Sequence, residues 1–146
     1  MFIVALTSIF LIAATTLIHY EALRLLNTRL LTMPIPNRPK LLVLIFAAFL
    51  VHFIEIAVYA AAVYGLVVYG VGTLEGGSSF SFLSCLYFSA ETYTTLGFGD
   101  LTPAGPIRVL AGIESLNGLL LIGWTATSTY VAMERFWLPV DTGEKA

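Results

Sequence analysis

Three apolar stretches alternate along the chain with breaks marked by Pro, Gly and charge: about Phe2 to Leu23, about Leu41 to Tyr69, and about Ile107 to Trp137. Crossing a bilayer takes about 20 predominantly apolar residues, so the pattern predicts three transmembrane helices. The third is the most polar, with Glu114, Asn117 and several Thr and Ser, as expected of a helix that faces a wet pore. The first has neither a positive n-region nor a convincing small-residue cleavage site and reads as a retained helix, not a signal peptide. Between the first two, Met33-Pro34-Ile35-Pro36-Asn37-Arg38-Pro39 cannot remain helical and predicts a turn.

Between the second and third spans, Phe80 to Tyr93 is too short to cross and follows the helix-breaking pair Gly76-Gly77. Ser78, Ser79 or Ser81 can cap it. A short helix that enters the membrane and returns through irregular backbone is tolerated only where protein or water covers it. Its C-terminal end, aimed at the membrane centre, offers about half a negative charge to a cation. Thr95-Leu96-Gly97-Phe98-Gly99-Asp100 follows at once. Turning successive carbonyls toward one axis needs residues that reach positive φ, which Gly97 and Gly99 supply without Cβ strain, and such carbonyls can replace a cation's water. Thr95 adds a hydroxyl.

Composition narrows the picture. Of 146 residues, 58% are hydrophobic and 11% charged, against about 25% charged in soluble domains, so an aqueous globule is disfavoured. The single Cys85 excludes an intrachain disulfide framework and a cysteine-based zinc site. A net charge of -2 leaves no basic footprint for nucleic acid. Arg24, Arg29, Arg38 and Lys40 crowd the region between spans one and two, whereas no Lys or Arg precedes Arg108 in the next connection. The positive-inside rule then puts the first turn in the cytoplasm, the N-terminus outside, and the C-terminus and its short tail inside, in a multi-pass membrane protein. No span carries Arg at every third position, so a voltage sensor is not expected.

Four ionisable side chains, His19, His52, Glu55 and Glu114, stand out within the spans. His52 and Glu55 lie about one turn apart on the second, and His19 on the first is as far from the Ile35-Pro36 turn as His52 is. A carboxylate at that depth costs about 3 kcal/mol by insertion scales, so a partner is expected. Three readings stand: a polar clasp docking span one onto span two, a pH sensor, or a metal or bis-His haem site. Glu114 on the third span is expected to hydrogen-bond Tyr59 or Tyr64.

Ser89-Ala90-Glu91-Thr92-Tyr93-Thr94-Thr95-Leu96-Gly97-Phe98-Gly99-Asp100-Leu101-Thr102-Pro103 resembles the pore-helix-to-filter segment of bacterial two-helix potassium channels. The similarity continues loosely from the second span to Tyr130. It implies an all-α membrane protein with three transmembrane helices, a re-entrant pore helix, a selectivity-filter loop and a tetrameric pore. Residues 1–40 would form an additional N-terminal helix and turn; 41–146 would form the pore domain, with outer helix 41–69, pore helix 80–93, filter 95–100 and inner helix 107–137. Carbonyls of Thr95, Leu96, Gly97 and Phe98, with Gly99 completing the strand, would hold permeant K+; no organic cofactor is expected. Glu91 would meet Asp100, either propping the filter or tuning its inactivation. Gly118 falls near an inner-helix hinge, and Leu119, Ile122, Ala126 and Tyr130 would line the cavity and gate. Leu96 in place of Val or Ile, and Phe98 in place of Tyr, depart from the pattern; Phe98 lacks the hydroxyl that braces a filter.

The expected function is therefore passive K+ conduction by a homotetramer in contact with membrane lipids and monovalent cations, with no enzymatic reaction. Alternatives are a weakly selective cation channel, a membrane redox or metal protein using His19 and His52, and a non-conducting subunit of other channels.

Overall fold

The structure, a computed structural model, describes residues 1–77 and 79–137, and of Arg38 and Trp137 the backbone alone. Ser78 and the expected cytoplasmic tail lie outside the described residues. In chain order the elements are α1 (Phe2–Thr32), α2 (Asn37–Val68), β1 (Thr73–Glu75), α3 (Phe82–Tyr93), β2 (Thr102–Ala104) and α4 (Ile107–Trp137). Three of the four helices, α1, α2 and α4, are long and apolar enough to cross a membrane.

Helix boundaries differ from the expectation where hydropathy and helix formation part company. α1 runs on from Leu23 to Thr32 because Arg24-Leu25-Leu26 and Arg29-Leu30-Leu31 are good helix formers, although Arg24 and Arg29 end the apolar run. Only Met33 to Pro36 separates α1 from α2. Pro39 sits in the first turn of α2, where its missing N–H has no helical acceptor to lose. The basic cluster therefore decorates two helix ends and not a loop.

α1 is built inside-out, as a lipid-facing helix should be. Its buried positions, Val4, Ser8, Leu11, Thr15, His19, Leu23 and Leu30, form one stripe at helical spacing that includes its polar residues. Ser8 and Thr15 donate their hydroxyls back to the carbonyls of Val4 and Leu11, each at 2.8 Å. Phe2, Ile3, Ile9, Phe10 and Leu17 are exposed on the other faces. The main core gathers Val4 and Leu11 of α1, Tyr59, Val63 and Leu66 of α2, Cys85, Phe88 and Tyr93 of α3, and Ile107, Leu110 and Leu121 of α4. Cys85 is buried there as a free thiol. At the opposite end a smaller core joins Leu30, Leu41, Leu44 and Ala132, and Lys40 places its ammonium 5.5 Å from the centre of the Phe136 ring.

The pore-helix region is staked at both ends. Ser81 is the N-cap of α3, its Oγ accepting the Ser84 N–H at 3.1 Å, so the helix begins two residues after the expected Phe80. β1 and β2 pair antiparallel with Thr73 opposite Ala104, Leu74 opposite Pro103 and Glu75 opposite Thr102. This small sheet clamps the chain entering α3 to the chain leaving the loop after it. Gly76 completes the clamp at φ 107°, where a Cβ would run into the Asp100 carbonyl.

Candidate functional site: the loop after α3

Glu91 organises the loop. Its backbone carbonyl accepts the N–H groups of Leu96 at 2.8 Å and Gly97 at 3.2 Å, and its side-chain Oε2 accepts the Phe98 N–H at 2.9 Å. Three consecutive amides are thus turned toward α3. In a planar trans peptide the C=O points opposite to the N–H, so the carbonyls of Thr95, Leu96 and Gly97 point away from α3 along one direction. The backbone dihedrals agree: φ is positive at Thr95 (60°), Gly97 (56°) and Gly99 (79°), every second residue. Left-handed residues alternating with ordinary ones keep successive carbonyls on one side, whereas a regular strand would alternate them. Thr95 is the sole non-glycine residue at positive φ among those described, and holding a β-branched residue there costs about 1–2 kcal/mol. Glu91 and the two hydrogen bonds to its carbonyl hold it in place.

A row of aligned carbonyls, without protein donors to satisfy them, is a site for a dehydrated cation. The sequence comparison agrees. The profile of the family described as “Ion channel” matches residues 40–135, from the start of α2 almost to the end of α4. The chain belongs to this family, within the potassium channel superfamily. α1 precedes the matched segment and is an addition to the two-helix pattern. Among curated proteins, the chain is similar to the inward rectifier potassium channel Kirbac3.1 of Paramagnetospirillum magnetotacticum, at 33% identity over 63 residues. That stretch is 42% of this chain but 21% of the relative, so the two share a core and not a full length. No solved structure matches. As a member of this family whose helices α1, α2 and α4 are long and apolar enough to cross a membrane, the protein is integral to the membrane.

Around this loop, side chains find partners that the sequence did not assign. Glu91 and Asp100 each have a donor of their own: Phe98 N–H for the first, and for the second the Tyr87 hydroxyl, at 3.1 and 3.2 Å from the two carboxylate oxygens. Tyr87 went unnoticed in the sequence, although it sits one turn before Glu91 on the same face of α3. Leu96 and Phe98 are 60% and 66% exposed in the single chain. Among the described residues little covers them.

Inner-helix positions divide. Gly118 is a packing site: a Cβ there would run into the Tyr93 carbonyl and ring, so α4 rests directly on the end of α3. A hinge is not needed to explain it. Ser115, one turn earlier, donates to the Thr92 carbonyl at 2.9 Å. Leu119, Ile122, Ala126 and Tyr130 are all exposed in the single chain at spacings of three and four, hence on one face.

The intramembrane groups of α1 and α2 come together. His19 Nδ1 lies 3.0 Å from Glu55 Oε1, and His52 Nδ1 lies 3.2 Å from Glu55 Oε2. Tyr93, the last residue of α3, donates its hydroxyl to Glu55 Oε2. Thr125 of α4 completes the cluster, its Oγ1 lying 3.0 Å from His52 Nε2 and 3.2 Å from His19 Nε2. Glu55 thus joins α1, α2 and α3 directly, and α4 reaches the cluster through the two histidines. Tyr93 and Thr125 could not be placed there from sequence, since a lone Tyr and a lone Thr carry no periodic signal. The imidazole rings, 5.3 Å apart and bridged by Glu55, leave no gap for a macrocycle between them, which removes the bis-His haem reading.

Glu114 corrects the expectation. Tyr59 is held by Asn117 at 3.1 Å, and Tyr64 stacks on Phe80 with ring centres 5.2 Å apart. Neither bonds Glu114, whose carboxylate oxygens are fully buried without a hydrogen-bond partner among the described residues, as is the hydroxyl of Ser89. Asn117 also donates to Thr15 at 2.8 Å, a second polar tie between α4 and α1.

Proposed function

We propose that four copies of this chain assemble around one axis and conduct K+ selectively and passively through stacked rings of filter carbonyls. The observation that carries this reading is the common direction of the Thr95, Leu96 and Gly97 carbonyls, enforced by three amides bonded to Glu91. One chain contributes one wall. A monovalent ion stripped of water needs oxygens on all sides, and four walls supply them. The uncovered side chains of Leu96 and Phe98, apolar and at the same loop, support neighbours on either flank. Phe98 and Gly99 continue the stack, and Leu119, Ile122, Ala126 and Tyr130 face the cavity beneath it. The C-terminal end of α3 adds its partial negative charge below the filter. The protein moves ions and catalyses no reaction; K+ is cargo.

Arg24, Arg29, Arg38 and Lys40, on either side of the α1–α2 turn, support a cytoplasmic turn and a filter mouth outside, in a bacterial inner membrane. Liposome flux tests the function. Purified protein should pass K+ far faster than Na+; equal fluxes would refute selectivity, and no flux of either would refute conduction. A second reading, a weakly selective cation channel, is favoured by Phe98, whose ring has no hydroxyl with which to brace the filter. A reversal potential in a K+/Na+ gradient separates the two.

A further inference from the structure

The cluster at Glu55 has a shape that a polar clasp does not require. The structure holds four donor atoms aimed inward: His19 Nδ1, His52 Nδ1, a Glu55 carboxylate oxygen and the Tyr93 hydroxyl. His19, His52 and Glu55 each offer an atom within 4.8 Å of the others, and Tyr93 Oη lies 3.0 Å from His52 Nδ1. A tetrahedral ion with metal–ligand bonds of about 2.0–2.1 Å has donor–donor edges of about 3.3 Å. His19 Nδ1 lies 3.0 Å from one Glu55 oxygen and His52 Nδ1 3.2 Å from the other, so a rotation of the carboxylate that turns one oxygen toward both nitrogens would admit an ion.

The far side of both rings is also arranged for one. Metal-bound imidazoles donate their other N–H to an oxygen, which fixes the tautomer. Here both Nε2 atoms face the single Oγ1 of Thr125, which has two lone pairs to accept both. That leaves both Nδ1 atoms unprotonated and pointing inward. Without an ion the cluster is a closed ring of four edges: Glu55 to His19, His19 to Thr125, Thr125 to His52, and His52 to Glu55. With both N–H groups on Thr125, neither Glu55 edge carries a proton, and the Tyr93 hydroxyl is the donor to that carboxylate. The bare Nδ1 lone pairs face Glu55, an arrangement that a cation between them would satisfy.

We propose that His19, His52 and Glu55, with Tyr93 as fourth donor, bind one divalent first-row transition-metal ion, Zn2+ fitting best. Two nitrogens and two oxygens in a closed tetrahedron suit this class and not Mg2+ or Ca2+, which ask for six or more oxygens. Binding Tyr93 as phenolate releases its proton to solvent, and Zn2+ with the phenolate and the Glu55 carboxylate sums to zero charge, as a bilayer interior demands. His52 is 16% exposed and lines a groove of about 520 Å³ between α2 and α4 that also carries Ile122 and Ala126. In the tetrameric reading those two face the aqueous cavity, which gives the ion its route. Once bound, it ties α1 to α2 and to Tyr93, two residues before the filter.

The test is metal uptake by the full chain, purified in detergent with any affinity tag removed. After exposure to Zn2+ and passage over a chelating column, mass spectrometry should find one Zn2+ per chain. Co2+ in its place should give the intense visible bands of a tetrahedral centre. His19→Gln should lose the ion, and Thr125→Val, which keeps every ligand, should weaken it about 10–100-fold. A metal-free wild type, weak octahedral Co2+ bands, or unchanged uptake by His19→Gln would each overturn the site. A ring that merely holds an extra proton gives the first of these. Uptake is read without ion flux, so its failure and the failure of the channel reading are distinct results.

Discussion

Replacing Gly118 by Ala sets two physical effects against each other. In a helix interior, Gly is about 1 kcal/mol less favourable than Ala, so the substitution should stabilise α4 if the position were an unencumbered hinge. The structure opposes that gain: the new Cβ would strike the backbone carbonyl of Tyr93, which is held by the end of α3 and cannot swing aside as a side-chain tip would. Overpacking of this kind costs about 1–3 kcal/mol. Gly65 of α2 is the control, because a Cβ there meets nothing within 4 Å. The propensity gain cancels between the two variants, so Gly118→Ala should be less stable than Gly65→Ala by about 1–3 kcal/mol. Reversible unfolding in mixed micelles, followed by helical circular dichroism, measures the difference. Equal stability, or a more stable Gly118→Ala, would show that α4 does not rest on Tyr93 and would return the residue to a hinge.

Glu91→Gln keeps an acceptor for the Phe98 N–H, whereas Glu91→Ala leaves that amide without its charged partner, at a cost of about 1.5–3 kcal/mol; the alanine variant should lose K+ over Na+ discrimination in liposomes while the glutamine variant largely retains it. Ser81→Ala removes the α3 cap and should lower stability by about 1 kcal/mol in the same unfolding assay, with Ser81→Asp restoring it. Glu55→Ala leaves His19, His52 and Tyr93 facing an empty centre and should destabilise the fold by about 3–5 kcal/mol, far more than Glu21→Ala, whose partner Arg24 is in solvent at 3.1 Å. A Glu55 variant as stable as the Glu21 one would sink the account of the four-helix junction.

Where the chain's information is local, the sequence was enough. Spans are a matter of apolar length, which is why three of them, and the short helix between the second and third, could be read directly. Gly97 and Gly99 announce positive φ because few other residues reach it. Local signals also mislead at their edges: hydropathy ended α1 at Leu23, but helix propensity carries it to Thr32, since a membrane boundary is not a helix boundary. The β1–β2 clamp has three residues a side and is held by pairing across the whole pore loop, so neither strand has a pattern of its own. Thr95 in the left-handed region was equally silent, because its conformation is imposed by amides that return to Glu91.

The sequence by itself determined that this is a membrane protein with a carbonyl-lined loop, since hydrophobic length and glycine spacing act over a few residues. Only the tertiary structure decided which polar groups meet: that one cluster around Glu55 gathers four helices, that Tyr87 and not Glu91 supplies a donor to Asp100, that neither Tyr59 nor Tyr64 bonds Glu114, and that Gly118 is a contact. Those pairings depend on helix rotation and depth. A shift of one residue turns a side chain by about 100°, from a neighbour into lipid, and no pattern along a single helix reports it.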